Sequence, residues 1–113
     1  MHELSIALSI VDLAEAESRR HQAKRVTEME IEVGRLAGVD TEALSFVLES
    51  VIRQTPLEGC KILIRSIEGK YQCRDCMHEY PAPDLFSPCP ACGSVNRELL
   101  NGKELKLKSL IID

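Results

Sequence analysis

Cys73-Arg74-Asp75-Cys76 and Cys89-Pro90-Ala91-Cys92-Gly93, with residues 77–88 between them, decide how this chain folds. Two Cys-x-x-Cys knuckles at that separation can bring four thiolates to the corners of one tetrahedron. Such a set saturates a four-coordinate metal and leaves no open position, so the spacing predicts a structural centre and not a catalytic one. Zinc favours sulfur sites of this kind and brings no redox chemistry of its own. Iron in a rubredoxin-like site is the chemical rival, and spacing does not separate the two. A pair of disulfides or reactive thiols is the other alternative.

The residues around the knuckles fit a metal-dependent lobe. Pro81, Pro83, Pro88 and Pro90 fall between residues 70 and 98, where apolar periodicity is poor. Such a segment cannot bury enough surface to fold alone, and a metal supplies what is missing. The whole chain has 113 residues, 44% hydrophobic but only 4% aromatic and without Trp, so its core must be built from Leu, Ile and Val. Its formal net charge is -4, and four thiolates on a dication add about two negative charges. That balance argues against nucleic acid as a partner, because such binders show a basic face. The fifth cysteine, Cys60, stands in the apolar run Cys60-Lys61-Ile62-Leu63-Ile64 and reads as a small buried hydrophobe. The start Met1-His2-Glu3 shows no basic leader or cleavage pattern. No apolar run approaches the roughly 20 residues of a membrane helix, so no membrane role is expected. A reducing, cytoplasmic setting follows, in which paired cysteines hold metal more often than they form disulfides.

Outward from the lobe, the pattern alternates between helix and strand. Leu4, Ala7, Leu8, Val11 and Ala14 recur at helical spacing over residues 4–20, with Ile6, Ile10 and Leu13 widening the stripe. From 26 to 33, Met29, Ile31 and Val33 alternate with Glu28, Glu30 and Glu32, which predicts a strand with a solvated acidic face. Asp40 or Thr41 can cap a second helix over 41–54, with Leu44, Val47, Leu48, Val51 and Ile52 inward and Pro56 and Gly59 ending it. A strand over 60–67 places Ile62 and Ile64 on one face, and another over 104–112 alternates Leu105, Leu107, Ser109 and Ile111 against Lys106, Lys108 and Leu110. The fold class is therefore α+β: a small three-stranded mixed sheet, two helices on one of its faces, and an inserted four-cysteine zinc-ribbon lobe. Strands separated by a helix predict a parallel pair, and strands joined through the insert predict a long hairpin arm. Lys106 and Lys108 can pair with the strand glutamates if those strands are neighbours. The expected domains are residues 1–69 with 99–113, and the zinc lobe 70–98.

The first residues suggest a second metal site. A lone histidine is usually an ordinary side chain, but His2 adjoins the chain's α-amine. That amine, the amide nitrogen of His2 and its imidazole can close fused chelate rings on one ion, and Glu3 can add its amide nitrogen or carboxylate. A nitrogen-rich planar set suits Ni(II) or Cu(II) better than zinc. First-turn N–H groups lack intrahelical partners, so deprotonating one to bind metal breaks no helix hydrogen bond. The helix N-terminus repels a bare cation until an amide loses its proton. A moderate affinity results, near ~1 μM or about -8 kcal/mol, and it is sensitive to pH.

These features together resemble the HypA/HybF family of hydrogenase nickel-incorporation proteins. The resemblance rests on Met1-His2-Glu3-Leu4-Ser5, Ala23-Lys24-Arg25-Val26, Ile31-Glu32-Val33-Gly34, Glu58-Gly59-Cys60 and the four knuckle cysteines. It implies a nickel metallochaperone rather than an enzyme, with no catalytic residues. Nickel as transient cargo would sit on His2 with Glu3 beside it, and structural zinc on Cys73, Cys76, Cys89 and Cys92. Some relatives draw a further nickel ligand from elsewhere, for which Asp40 and the region of Glu98 are candidates. The implied partners are a HypB-type GTPase and the large subunit of a [NiFe]-hydrogenase, docked through the first helix and the zinc lobe. The implied state is a monomer or weak homodimer, and the last strand, which follows a long excursion, is one that two chains can exchange. The competing readings are a zinc-ribbon adaptor for nucleic acid or transcription machinery, and a thiol oxidoreductase. The acidic balance and scarce aromatics oppose the first. The Pro-rich setting of both pairs opposes the second, since redox pairs usually open a helix. His21 and His78 read as surface side chains, although His78 lies close enough to Cys76 to join a rearranged site.

Overall fold

Alternation along one strand sets the main layer. In the computed structural model, which describes residues 2–113, the order is α1 Glu3–Arg20, β1 Val26–Gly34, α2 Thr41–Val51, β2 Lys61–Ile67, β3 Lys70–Cys73, β4 Glu79–Pro81, β5 Arg97–Asn101 and β6 Leu105–Ile112. β1 is the centre of a three-stranded sheet ordered β2-β1-β6, parallel to β2 and antiparallel to β6. Met29, Ile31 and Val33 bury against Ala7, Ile10, Val11 and Ala14 of α1 and Leu44 and Leu48 of α2, so both helices lie on the same face. Each fully buried aliphatic side chain contributes about 1.5–3 kcal/mol, which gives this aliphatic core the main share of the stability. Cys60 joins its rim half-buried, and desolvation raises its thiol pKa.

The sequence pattern and the structure part company at several points. The strands flanking the insert do not form a hairpin arm: β6 pairs with β1 and not with β2. That position seals Leu107 and Leu110 over the core and brings Lys106 and Lys108 to Glu32, at 3.4 and 3.7 Å. Strict alternation along β6 also fails. Leu107 faces Ile31 and Ser109 faces Glu30, so Lys108 is the extra residue of a β-bulge. Beyond the bulge the alternation reverses, which puts Leu110 on the core face and leaves Ile111 exposed. Glu32 is not solvated as expected but buried at 8% exposure, and its two lysines compensate the burial. On α1 the expected stripe is too wide: Leu4, Leu8 and Leu13 are exposed, and the buried face runs through Ala7, Ile10, Val11, Ala14 and Ser18. α2 begins where expected, with Asp40 Oδ1 accepting the Glu42 and Ala43 N–H groups, both at 3.1 Å. Its regular part stops at Val51, and a turn carries the chain to Pro56.

The inserted lobe is more regular than its sequence suggests. It holds a second three-stranded sheet, ordered β4-β3-β5 and antiparallel throughout, over a small cluster of Tyr71, Cys73, Tyr80, Ala82 and Cys89. The two sheets meet at a neck where Gly34, Gly69 and Gly102 bring three backbone segments together. A Cβ on Gly34 would run into the Gly102 carbonyl, and one on Gly69 into the Ala82 carbonyl. The Gly34 N–H donates to the Glu104 carbonyl and the Leu36 N–H to the Gly102 carbonyl, both at 2.7 Å. Leu36 then packs into the cluster of the lobe.

The neck has no room for a methyl group, and rigid backbone surrounds the site. Gly34→Ala is therefore expected to lower stability by about 3 kcal/mol or more, read from urea unfolding of the full chain. A loss below about 1 kcal/mol would show that the backbone there yields easily.

Candidate metal centre

Each knuckle is built by backbone hydrogen bonds that aim its sulfurs inward. In the first, the Met77 N–H donates to the Cys73 carbonyl and the Cys73 N–H to the His78 carbonyl, both at 2.9 Å. Met77 holds a positive φ of 65° to make that turn. In the second, the Gly93 N–H donates to the Cys89 carbonyl at 2.8 Å and the Cys89 N–H to the Ser94 carbonyl at 2.9 Å. Gly93, at φ 78°, is the residue type that such a turn favours.

The four Sγ atoms converge as the spacing predicts. All lie within 4.8 Å of one another, with Cys73 to Cys92 at 3.6 Å and Cys76 to Cys89 at 3.7 Å. Sulfurs bound to one zinc at about 2.3 Å in a tetrahedron stand about 3.8 Å apart, so the set fits that geometry. A disulfide needs about 2.05 Å, which these separations exclude for the two pairs as they stand. Cys73 and Cys89 are buried while Cys76 and Cys92 are exposed, so one side of the centre is shielded and the other faces water.

The thiols do not share one acidity. The Cys76 backbone N–H is the foremost cause holding Cys73 down, to about 7; the Asp75 N–H and the Cys92 and Cys76 thiols assist against desolvation. For Cys92 the Ser94 N–H pulls downward, but the Cys73 thiol, desolvation and the remaining thiols outweigh it and push it up to about 12. For Cys76 the His78 N–H pulls downward most, but desolvation with the Cys89 and Cys73 thiols outweighs it, so its pKa is likewise raised. The imidazole of His78 lies parallel to the Tyr80 ring at 6.2 Å, outside the sulfur cluster, and His21 is exposed beside Glu17.

The N-terminal candidates lie outside the lobe, at the start of α1. His2 is exposed and is the N-cap residue of α1, with its carbonyl accepting the Ile6 N–H at 3.2 Å. Glu3 is half-buried, and its Oε2 accepts the Asp40 backbone N–H at 3.2 Å. That bond sets the N-termini of α1 and α2 side by side, a juxtaposition with no signal in the sequence pattern. Glu98 sits on β5 opposite Gln72, in the zinc lobe's sheet. The α-amine expected as a ligand belongs to Met1, which lies outside the described residues.

Comparison with known proteins agrees over the whole length. Residues 1–112 match the family model described as hydrogenase/urease nickel incorporation, metallochaperone, HypA. The hydrogenase maturation factor HypA of Parabacteroides distasonis is 48% identical over 112 residues, covering 99% of this chain and 97% of its own. That of Geotalea daltonii is 40% identical, with 99% of each chain covered. The solution structure of the Ni metallochaperone HypA from Helicobacter pylori superimposes with a TM-score of 0.72 at 23% identity, covering 99% of this chain and 97% of the other.

Zinc displaces every thiol proton still present, so acid opposes binding. Cys73 adds a proton to that count only below about 7, whereas the raised Cys76 and Cys92 contribute throughout the neutral range. Zinc affinity, measured by chelator competition, should fall as pH falls and should steepen below about 7. One unbroken slope across that value would contradict the lowered pKa of Cys73.

Proposed function

This chain belongs to the HypA family of nickel-incorporation metallochaperones of hydrogenase maturation, and from that premise we propose that it binds Ni(II) at its N-terminus and delivers it to a maturing [NiFe]-hydrogenase. The observation that carries this reading is the Glu3–Asp40 hydrogen bond, which anchors the start of α1 against the cap of α2 beside an exposed His2. A tethered backbone with a free imidazole is what a chelate needs: fixed amide nitrogens and a side chain able to swing onto the ion. The α-amine, the His2 amide and the His2 imidazole supply nitrogen donors, and Glu3 supplies a further amide or carboxylate. Asp40 commits Oδ1 to the helix cap, so its other oxygen is the one left to reach the ion. The two carboxylates also offset the repulsion that a cation meets at paired helix N-termini.

In this reading residues 1–69 and the last strand form the nickel-binding part, and the inserted lobe, expected at 70–98 and with its sheet running on through β5 to Asn101, holds structural zinc through Cys73, Cys76, Cys89 and Cys92. The protein works in the cytoplasm as a carrier, without a catalytic residue of its own. It receives nickel with a HypB-type GTPase and passes it to the hydrogenase large subunit. The exposed leucines of α1, Leu4, Leu8 and Leu13, are available for such docking.

The experiment is a nickel titration of tag-free protein with its native start, followed by calorimetry. His2→Ala should weaken nickel binding by at least about tenfold, equivalent to about 1.4 kcal/mol. Extra residues ahead of Met1 should weaken it as much, because they remove the α-amine. Zinc content and the helical signal should be unchanged in both. Nickel affinity within twofold of the parent in both variants would refute the N-terminal site.

A further inference from the structure

A carboxylate beside a four-thiolate centre needs an explanation. A zinc bound by four thiolates carries a net charge of about -2, so a nearby aspartate is repelled. Asp75 nonetheless lies inside the first knuckle, between the two cysteines of that knuckle, and its contacts lead to the other one. Its Oδ2 accepts a hydrogen bond of 2.5 Å from the Ser94 hydroxyl, and its Oδ1 one of 3.4 Å from the Asn96 amide. The Ser94 hydroxyl in turn accepts the Asn96 backbone N–H at 3.0 Å. The preceding residue of knuckle one, Arg74, donates its N–H to the Asn96 carbonyl at 2.9 Å. Ser94 also closes the second knuckle, since its carbonyl receives the N–H of the ligand residue Cys89.

We propose that Asp75, Ser94 and Asn96 form a clamp that locks the two knuckles at the separation zinc requires, so that Asp75 is a positioning residue governing how slowly the metal leaves. The inference rests on the reading of the four cysteines as zinc ligands. Without the clamp, each knuckle keeps its own turn, and their mutual distance is set by the metal, by the small cluster under it and by backbone pairing at one side, the Arg74–Asn96 bond and the β3–β5 ladder. Zinc then leaves by the parting of two knuckles that no side-chain bond holds together. With the clamp, that parting also breaks a charge-assisted hydrogen bond, the stronger kind. Hydrogen bonds that orient the groups around a metal typically govern its affinity by about 10–100-fold.

The test follows zinc release from full-length, zinc-loaded protein into an excess of a chromogenic chelator at neutral pH. Asp75→Ala and Ser94→Ala should each speed release by about tenfold or more. The double variant should fall clearly short of the product of the two single effects, because the two residues share one bond. Ser94→Thr, which keeps the hydroxyl, should restore the parent rate. The near-ultraviolet tyrosine signal before chelation reports whether each variant's lobe is folded. Parent rates in both alanine variants would overturn the clamp. Faster release from Asp75→Ala but not from Ser94→Ala would also overturn it, since the effect would then belong to the aspartate alone. If the parent itself carries no zinc, the ligand reading falls instead, and metal analysis of the starting material separates that outcome from failure of the clamp.

Discussion

The inserted lobe has too little to bury. Its buried cluster is Tyr71, Cys73, Tyr80, Ala82 and Cys89, and two of those five are the inner cysteines of the metal site. Ordering each residue costs roughly 1.5 kcal/mol, and burial on this scale cannot offset that over a stretch from Lys70 to Asn101. A metal that binds only the folded arrangement supplies the difference. The rest of the lobe serves that bond. Arg97 lies 4.6 Å above the Tyr71 ring and donates to the Leu85 and Val95 carbonyls, which ties the proline-rich loop to β5. Asp84 gathers the Phe86 and Ser87 N–H groups, both at 2.8 Å, so the loop is ordered through backbone hydrogen bonds without a core of its own.

The helices and main sheet outside the lobe are built the opposite way. Their core is a cluster of buried aliphatic side chains rather than cysteines and tyrosines, and their charges are arranged to tolerate what the core cannot cover. One face of the sheet is open to water, with Glu28 opposite Lys61 and Glu32 opposite both Arg65 and Lys106. Opposite charges across neighbouring strands are worth tenths of a kcal/mol when exposed. They matter more for Glu32, which has lost most of its water. The neck joins the two constructions. Three glycine backbones meet there, and Leu36 reaches from the end of β1 into the cluster of the lobe. The small core of the lobe is therefore completed by an aliphatic side chain from just beyond β1.

What could be read from the chain depended on how local the signal was. The knuckles, α1, α2 and the strands of the main sheet were legible because periodicity and spacing are properties of adjacent residues. The bulge at Lys108 was not, because an inserted residue leaves no mark until the partner strand is known. The lobe's second sheet was hidden for a related reason: β3, β4 and β5 are short, and their inward residues are cysteines and tyrosines rather than an aliphatic stripe. The width of the stripe on α1 misled because periodicity counts apolar residues without knowing how much of the helix the sheet covers. Among the candidate site residues, the four cysteines are named by their spacing and their sulfurs converge, while His2 and Glu3 are named by position and type alone. Asp40 was named only loosely, and its place beside Glu3 follows from α1 and α2 packing together.

On the proposed function the protein holds two metals, which raises a problem of selectivity, and the two candidate sites answer it by opposite construction. A divalent ion meeting this chain sees soft sulfur at one end and nitrogen with oxygen at the other. Thiolates bind nickel as well as zinc, so an empty sulfur site would trap the cargo that the N-terminus is proposed to pass on. A tetrahedral arrangement favours zinc, which has no geometric preference to violate, over nickel, which prefers planar or octahedral surroundings with these donors. A slow zinc site therefore does more than shape the lobe: while it is filled, it removes the strongest competitor for nickel from the same molecule. The carrier site must be the reverse, open and fast. A chelate at an exposed helix start meets that need, because the ion can be taken by a partner without disturbing the aliphatic core on which the fold depends.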